Sequence, residues 1–241
     1  MTLHATPIPI LKDNYAWLLQ DGDSGATALV DPAEAAPLIA AIAARGGRLD
    51  LILLTHHHAD HVAGTEEVRA RFGCAVAGAR DDADRLPPLD IALGEGEEVT
   101  LGTARGRVIA TPGHTRGHIA WFFPAGPLVA CGDTLFSLGC GRLFEGKAED
   151  MFASLAKLAA LPGETLVCCG HEYTLANARF ARSVDPDNAA LRARVAEAER
   201  QRAAGLPTVP TTIALERATN PFLRAADPAT LGMLRARKDN F

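Results

Sequence analysis

Thr55-His56-His57-His58-Ala59-Asp60-His61 follows directly on Leu49-Asp50-Leu51-Ile52-Leu53-Leu54, so four histidines and an aspartate stand at the end of an apolar run. A short apolar run of this length, preceded by Gly46-Gly47, reads as a buried strand. That placement constrains the fold. Open α/β sheets build their sites at strand ends, where side chains from several strands meet on one edge.

The same arrangement recurs along the chain. Residues 15–20 and 26–30 read as strands around Asp21-Gly22-Asp23-Ser24-Gly25, and Val30-Asp31-Pro32 closes the second. Residues 33–45 are Ala-rich and helical, stopped by Gly46-Gly47, and a further helix runs from about 62 to 72 with Gly73 as its stop. A more polar stretch covers 80–102. Residues 107–110 form a strand that leads into Thr111-Pro112-Gly113-His114. Residues 119–123 and 128–130 make a hairpin, 149–161 an amphipathic helix, and 165–169 a strand ending at Gly170-His171. Beyond that point the texture is helical, over 173–182, 188–204 and 228–238. Asp187 or Asn188 caps the second of these, and Asp227 with Pro228 opens the third. The expected organisation is an α/β unit over 1–172 and a helical segment over 173–241.

Charge divides the chain at the same place. Net charge is −5, but residues 173–241 hold 11 Lys+Arg against 7 Asp+Glu, which leaves the rest acidic. An acidic body argues against a nucleic-acid or anionic-membrane binder, and the basic segment suits a small anion. The five cysteines form no CxxC pair, as expected of a reduced cytosolic protein. The first ten residues lack a signal-peptide pattern, and no apolar run reaches the ~18 residues of a membrane span.

The recurring donors are His56, His58, Asp60, His61, His114, Asp133 and His171. Seven nitrogen and oxygen donors without a thiolate suit two metal ions better than one, because a catalytic zinc takes about three protein ligands and leaves a position open. In His-x-His, side chains two apart on extended backbone point the same way, so His56 and His58 can share one ion. Asp60 and His61, at the turn into the helix, would face the other. His114 completes the first set and His171 the second, and the two oxygens of Asp133 make it the bridge. A metal pair of this kind can hold a bridging hydroxide, through which Asp60 and Asp133 would serve catalysis. Asp31 is expected to orient a ligand histidine from behind. His57 points away from its neighbours, and His118 is expected to be a hydrogen-bonding partner.

Thr55 to His61 resembles the signature of the metallo-β-lactamase superfamily, which implies a four-layer αββα sandwich. Asp13-Asn14-Tyr15-Ala16-Trp17-Leu18-Leu19, Thr111 to His118, Gly132 to Phe136, Gly139-Cys140-Gly141-Arg142-Leu143-Phe144-Glu145-Gly146, Cys168 to Thr174, Asn220 to Arg224 and Arg235 to Phe241 are similar to the glyoxalase II family of hydroxyacylglutathione hydrolases. The resemblance implies hydrolysis of S-(2-hydroxyacyl)glutathione, usually S-D-lactoylglutathione from methylglyoxal detoxification, by two divalent ions per chain: zinc first, with iron or manganese as alternatives. It repeats the ligand division above. It also implies that Arg142, Tyr173, Arg235 and Lys238 bind glutathione, and that the chain is a monomer; a cytoplasmic location is expected from the lack of a signal pattern. Phe144 departs from relatives that carry tyrosine there, so it offers packing without a hydroxyl. The rivals are a glutathione persulfide dioxygenase with one iron, a nuclease of the same fold, a lactonase or β-lactamase, and a non-catalytic metal scaffold. The basic C-terminal pair weighs against the dioxygenase and the lactonase, the acidic body against the nuclease, and the complete donor set against the scaffold.

Overall fold

The computed structural model describes residues 2–241. Strands β1 (Leu3–Ile10), β2 (Asn14–Asp21) and β3 (Thr27–Val30) lead to helix α1 (Ala35–Ala43). Strand β4 (Leu51–Leu53), helices α2 (Ala59–Val62) and α3 (Thr65–Phe72), and strands β5 (Ala75–Ala79) and β6 (Ile91–Leu93) complete one sheet, in the order β1-β2-β3-β4-β5-β6. Its first three strands pair antiparallel and its last four parallel. The buried runs Thr27–Val30 and Leu51–Leu53 are what a parallel strand covered on both faces requires.

The second sheet is built from β7 (Glu98–Leu101), β8 (Ala104–Ala110), β9 (Ile119–Phe123) and β10 (Leu128–Gly132). A small ribbon of β11 (Leu135–Phe136) and β12 (Gly139–Cys140) and helix α4 (Ala148–Ala159) precede β13 (Leu166–Cys169). Helices α5 (Thr174–Val184) and α6 (Ala189–Ala203), strand β14 (Thr211–Thr212), and helices α7 (Ile213–Thr219) and α8 (Pro228–Asp239) follow. The sheet order is β14-β13-β10-β9-β8-β7. The two mixed sheets share one core and are flanked by helices, as the expected sandwich requires. The C-terminal segment is joined to it: β14 pairs with β13, and Phe180, Ile213, Phe222 and Leu231 enter the main core. A smaller apolar cluster of Leu138, Ala178, Ala181, Leu191 and Val195 lies beneath α5 and α6. Among the described residues, no helix is long and apolar enough to cross a membrane.

Two indoles tie the sheets together at one edge. Trp17 Nε1 of β2 donates to the Cys169 carbonyl at 2.8 Å, and Trp121 Nε1 of β9 donates to the Leu54 carbonyl at 3.1 Å. Both indoles are buried, where an unpaired N–H would be costly. Each accepting carbonyl lies two residues before a donor histidine, His171 and His56.

Several elements depart from the sequence expectation. The helix expected from about 62 to 72 is two helices, separated because Gly64 donates to the Pro32 carbonyl at 2.9 Å; a Cβ there would lie 2.7 Å from that oxygen. The polar stretch 80–102 contains β6 and β7. Strand β1 carries Pro7 and Pro9, which a ladder tolerates at a sheet edge. The expected helix caps at Asn188 and Asp227 are present, accepting from Leu191 N and Thr230 N.

Glu216 of α7 holds the turn between β11 and β12 in place. Its fully buried carboxylate accepts from Leu138 N at 2.8 Å, Asn220 Nδ2 at 3.0 Å and Thr211 Oγ1 at 2.8 Å, and Leu138 has a φ of 61°. Burial raises the Glu216 carboxyl above its ordinary value, against the pull of these donors. Glu216→Ala should therefore cost about 3 kcal/mol in denaturant unfolding, since it leaves buried donors unpaired, while Glu216→Gln should cost less than about 1 kcal/mol. The folded state binds more protons than the unfolded state above the ordinary value of 4.5. Wild-type stability should thus fall relative to the Gln variant as pH rises through that value. A gap that does not change with pH would show that Glu216 titrates alike in both states.

Candidate metal centre

Five connections deliver donors to the same edge of the sandwich. Asp31 follows β3, the segment His56–His61 follows β4, His114 follows β8, Asp133 follows β10 and His171 follows β13. β3 runs parallel to β4 and β10 to β13, so their C-terminal ends share a side. A register shift in β10 between Ala130 and Gly132 turns the chain just before Asp133. Gly132, at a φ of 46°, leaves no room for a Cβ against Thr55 Oγ1 and His118 Nε2.

The structure brings together all seven donors named from the sequence. His56 Nε2 and His114 Nε2 each lie 3.1 Å from His58 Nδ1. On the other side, His61 Nε2 lies 3.8 Å and His171 Nε2 3.5 Å from Asp60 Oδ2. Asp133 stands between the groups: Oδ1 is 3.4 Å from His61 Nε2, and Oδ2 is 3.3 Å from His171 Nε2 and 3.5 Å from His114 Nε2. Two of the three-residue groups able to hold a metal are His56 with His58 and His114, and Asp60 with His61 and His171.

The outer nitrogens are held from behind. His56 Nδ1 meets Thr55 Oγ1 at 3.0 Å, His114 Nδ1 the Arg142 carbonyl at 2.8 Å, His61 Nδ1 Asp31 Oδ2 at 3.0 Å, and His171 Nδ1 Asp13 Oδ1 at 3.1 Å. An N–H spent on such an acceptor leaves the other ring nitrogen a lone pair turned inward. Asp31 sits at a φ of 51°, tolerable for aspartate, and also accepts from Thr55 N and Oγ1. A third possible metal group, Asp31 with His56 and His61, is thus already satisfied through its carboxylate. Asn14 Nδ2 donates to Asp60 Oδ2 at 3.2 Å. Asp13 and Asn14 stood inside the quoted Asp13–Leu19 motif, but their roles needed the fold to be seen.

His118 stays outside the donor set. Its Nδ1 meets Thr111 Oγ1 at 2.9 Å, and its Nε2 accepts the Asp133 N–H at 3.1 Å. His57 turns away to Asp82 Oδ2 at 3.0 Å.

Electrostatics divides the cluster. Burial and neighbouring imidazoles push His56, His58 and His118 below the ordinary histidine value, and burial does the same to His114. Burial acts the same way on His61 and His171, but Asp133 outweighs it and both stand above that value. The Asp133 carboxyl lies well below the carboxylate range, because His61 and His171 overcome its burial. His61 Nε2 and Asp133 Oδ1 are buried without a hydrogen-bond partner. Donor atoms 3.1–3.8 Å apart match the ~3.4 Å edge of a tetrahedron with ~2.1 Å metal–ligand bonds. Inward lone pairs at that spacing, two of the atoms orphaned, fit divalent metal ions.

The cluster forms the floor of a cleft of about 400 Å³, a size that suits a small organic ligand. Arg142, Phe144, Tyr173, Arg235 and Lys238 line it, with Phe136 and Asn177. Tyr173 stacks on His171 with centroids 4.5 Å apart, and burial raises its phenol so that it stays a donor. Arg142 is exposed. Arg235 is buried and already donates to the Cys140 carbonyl at 2.7 Å and Asp239 Oδ1 at 2.9 Å. Lys238 lies 5.7 Å from the Phe180 ring centroid, and burial lowers its ammonium pKa. Cys140, Cys168 and Cys169 are buried, and burial raises each thiol.

Known proteins resemble this chain in sequence and in fold. Residues 11–171 match the metallo-beta-lactamase superfamily and residues 172–241 the hydroxyacylglutathione hydrolase C-terminus. The chain is 61% identical over 236 residues to a hydroxyacylglutathione hydrolase of Acidiphilium cryptum, covering 98% of this chain and 96% of that one. It is 54% identical to a hydroxyacylglutathione hydrolase of Ruegeria pomeroyi, with both chains covered in full. Among solved structures, ETHE1 from Myxococcus xanthus superposes with a TM-score of 0.74 at 26% identity, covering 98% of this chain and 90% of that one. A protein solved in a di-iron-bound form, TTHA1623, gives 0.65 at 28% identity, covering 91% and 99%.

Gly170 leaves no room for a side chain in the floor, since a Cβ there would lie 2.5 Å from Asp133 Oδ1 and 2.6 Å from His61 Cε1. Gly170→Ala should weaken retention of metal by at least about tenfold when challenged with a chelator and read by elemental analysis. Unchanged retention would mean that these side chains do not hold the metal.

Proposed function

The chain belongs to the metallo-beta-lactamase superfamily and, within it, to the hydroxyacylglutathione hydrolases, and from that membership we propose that it hydrolyses S-(2-hydroxyacyl)glutathione thioesters. The main substrate is S-D-lactoylglutathione, the products are glutathione and D-lactate, and the setting is methylglyoxal detoxification. One observation carries the reading: metal-binding donors floor a cleft whose opposite wall is cationic and aromatic. Residues 1–172 supply the floor and 173–241 most of that wall.

His56, His58 and His114 would hold one ion, Asp60, His61 and His171 the other, and Asp133 would serve both. Zinc is the ion proposed, since imidazole and carboxylate donors suit it, though they also suit iron and manganese. Divalent ions held there would supply Lewis acidity, enough to make hydroxide available at about pH 7 and to polarise a carbonyl. The residues do the rest. Asp60 and Asp133 balance the charge, and Asn14 keeps the Asp60 carboxylate turned to the floor. Tyr173 Oη donates to the glutathione backbone, while Arg142 and Lys238 attract its carboxylates. Phe144 closes the pocket by packing alone. The leaving thiolate, whose thiol has a pKa near 8.5, departs without a dedicated proton donor. Arg235 supports this wall, because its guanidinium fixes α8 to the Cys140 carbonyl. The net charge of −5 and five free buried cysteines support a cytoplasmic enzyme acting on a small substrate, and we take it to be a monomer.

The test is turnover of S-D-lactoylglutathione by the purified protein, with metal content measured on the same sample. Rapid hydrolysis with about two ions per chain is the expected outcome, and no turnover at full occupancy would overturn the reading. Asp133→Ala should lower the content of both ions. Lys238→Ala should raise KM by about tenfold at nearly constant kcat, the mark of lost uniform binding. Arg235→Ala should raise KM and also lower Tm.

A further inference from the structure

Arg85 lies off the cleft, yet it meets the loops that build it. Its Nε donates to Asp82 Oδ1 at 2.7 Å. Its Nη1 and Nη2 donate to Glu145 Oε1 and Oε2 at 2.6 and 3.2 Å. Asp82 is buried, and its Oδ2 accepts from His57 Nδ1 at 3.0 Å, between the donors His56 and His58. Glu145 Oε2 also accepts the Arg116 N–H at 2.8 Å, two residues past His114. Gly117 presses on Asp82, where a Cβ would lie 2.5 Å from Oδ1. One ionic chain therefore contacts the His56–His61 segment, the loop bearing His114 and the loop of Arg142 and Phe144.

Phe144 needs such support. Its ring is 61% exposed and meets the floor edge-on at His58, 5.7 Å between centroids, and tilted at His114, 5.2 Å between centroids. Gly141 and Gly146 flank its loop where the chain packs closely, since a Cβ would collide with the Asp133 carbonyl at the first and with Gly113 at the second. The Gly146 N–H donates to the Gly113 carbonyl at 3.0 Å and holds one end. The forked ion pair of Arg85 with Glu145 is the side-chain tie beside the ring. The two side chains are 31% and 22% exposed, so water screens the pair less than a surface pair.

We infer that Asp82, Arg85 and Glu145 are positioning residues that hold Phe144 and Arg142 over the donor cluster and thereby set affinity for the thioester. The inference rests on the glutathione-thioester reading for its substrate and on geometry alone for the tie. A loop fixed before binding spares the ordering cost that a free loop would incur on each encounter.

The experiment compares Glu145→Gln, Glu145→Ala, Arg85→Lys and Arg85→Met as metal-loaded full chains. KM and kcat are measured with S-D-lactoylglutathione, and deuterium exchange of peptides spanning 139–147 is followed in the same samples. Glu145→Ala and Arg85→Met should raise KM by about tenfold with kcat within about twofold, and speed exchange in that segment only. Arg85→Lys should recover only part of the affinity, because one ammonium cannot reproduce the fork, and Glu145→Gln should fall between wild type and Glu145→Ala. Arg85→Met leaves the Asp82 carboxylate short of a partner, so the Glu145 pair decides should that variant not fold. Unchanged KM together with unchanged exchange would overturn the inference. So would a parallel fall of kcat and Tm with exchange spread over the molecule, which marks a general scaffold. Wild-type protein that does not cleave the thioester would sink the functional reading, while the exchange data would still decide whether the tie exists.

Discussion

A carboxylate buried among imidazoles is the interaction on which the rest of the structure depends. Asp133 is 6% exposed and faces His61, His114 and His171. Taking an ionised carboxylate out of water is costly unless it is paired and hydrogen-bonded. The chain meets that cost by crowding. Gly132 and Gly170 admit no Cβ beside it, His118 takes its backbone N–H, and two indoles clamp the strand ends from which His56 and His171 depart. The outer nitrogens of His56, His61, His114 and His171 each have an oxygen partner, so the inner nitrogens of these four rings keep fixed directions.

The pocket wall is built on different principles. Its cations are partly committed to the protein: Arg235 to Cys140 and Asp239, and Arg142 to Asp239 at 3.5 Å. Asp239 thus moderates the two guanidiniums that flank the pocket, while Lys238 rests against the Phe180 ring and the Ala176 carbonyl. Tyr173 joins floor to wall, stacked on His171 on one side and against Phe136 at 5.3 Å on the other.

Much of the site was legible in the sequence because chemistry was concentrated there. His-x-His-x-Asp-His after an apolar run, and lone donors closing later apolar runs, placed seven side chains on one edge before any contact was known. Long-range partners were not legible. Asp13 lies 158 residues from His171, and Arg85 60 from Glu145, and no local periodicity encodes either pairing. The fold showed the same limit. Strand β1 was hidden by its prolines, β6 and β7 by a polar stretch, and α7 by its shortness. The break between α2 and α3 came from a close backbone approach at Gly64, which a helical pattern does not show.

The small apolar cluster under α5 and α6 has one further consequence. Leu138, Ala178, Ala181, Leu191 and Val195 form a core of their own beside the main one, and they underlie the helices that stand behind the pocket wall. Four of the five side chains belong to α5 and α6, and Leu138 stands in the turn between β11 and β12. Since Phe136, Cys140 and Asn177 line the cleft beside them, repacking this satellite core would act on the wall of the cleft through its backing rather than through the residues that face the ligand.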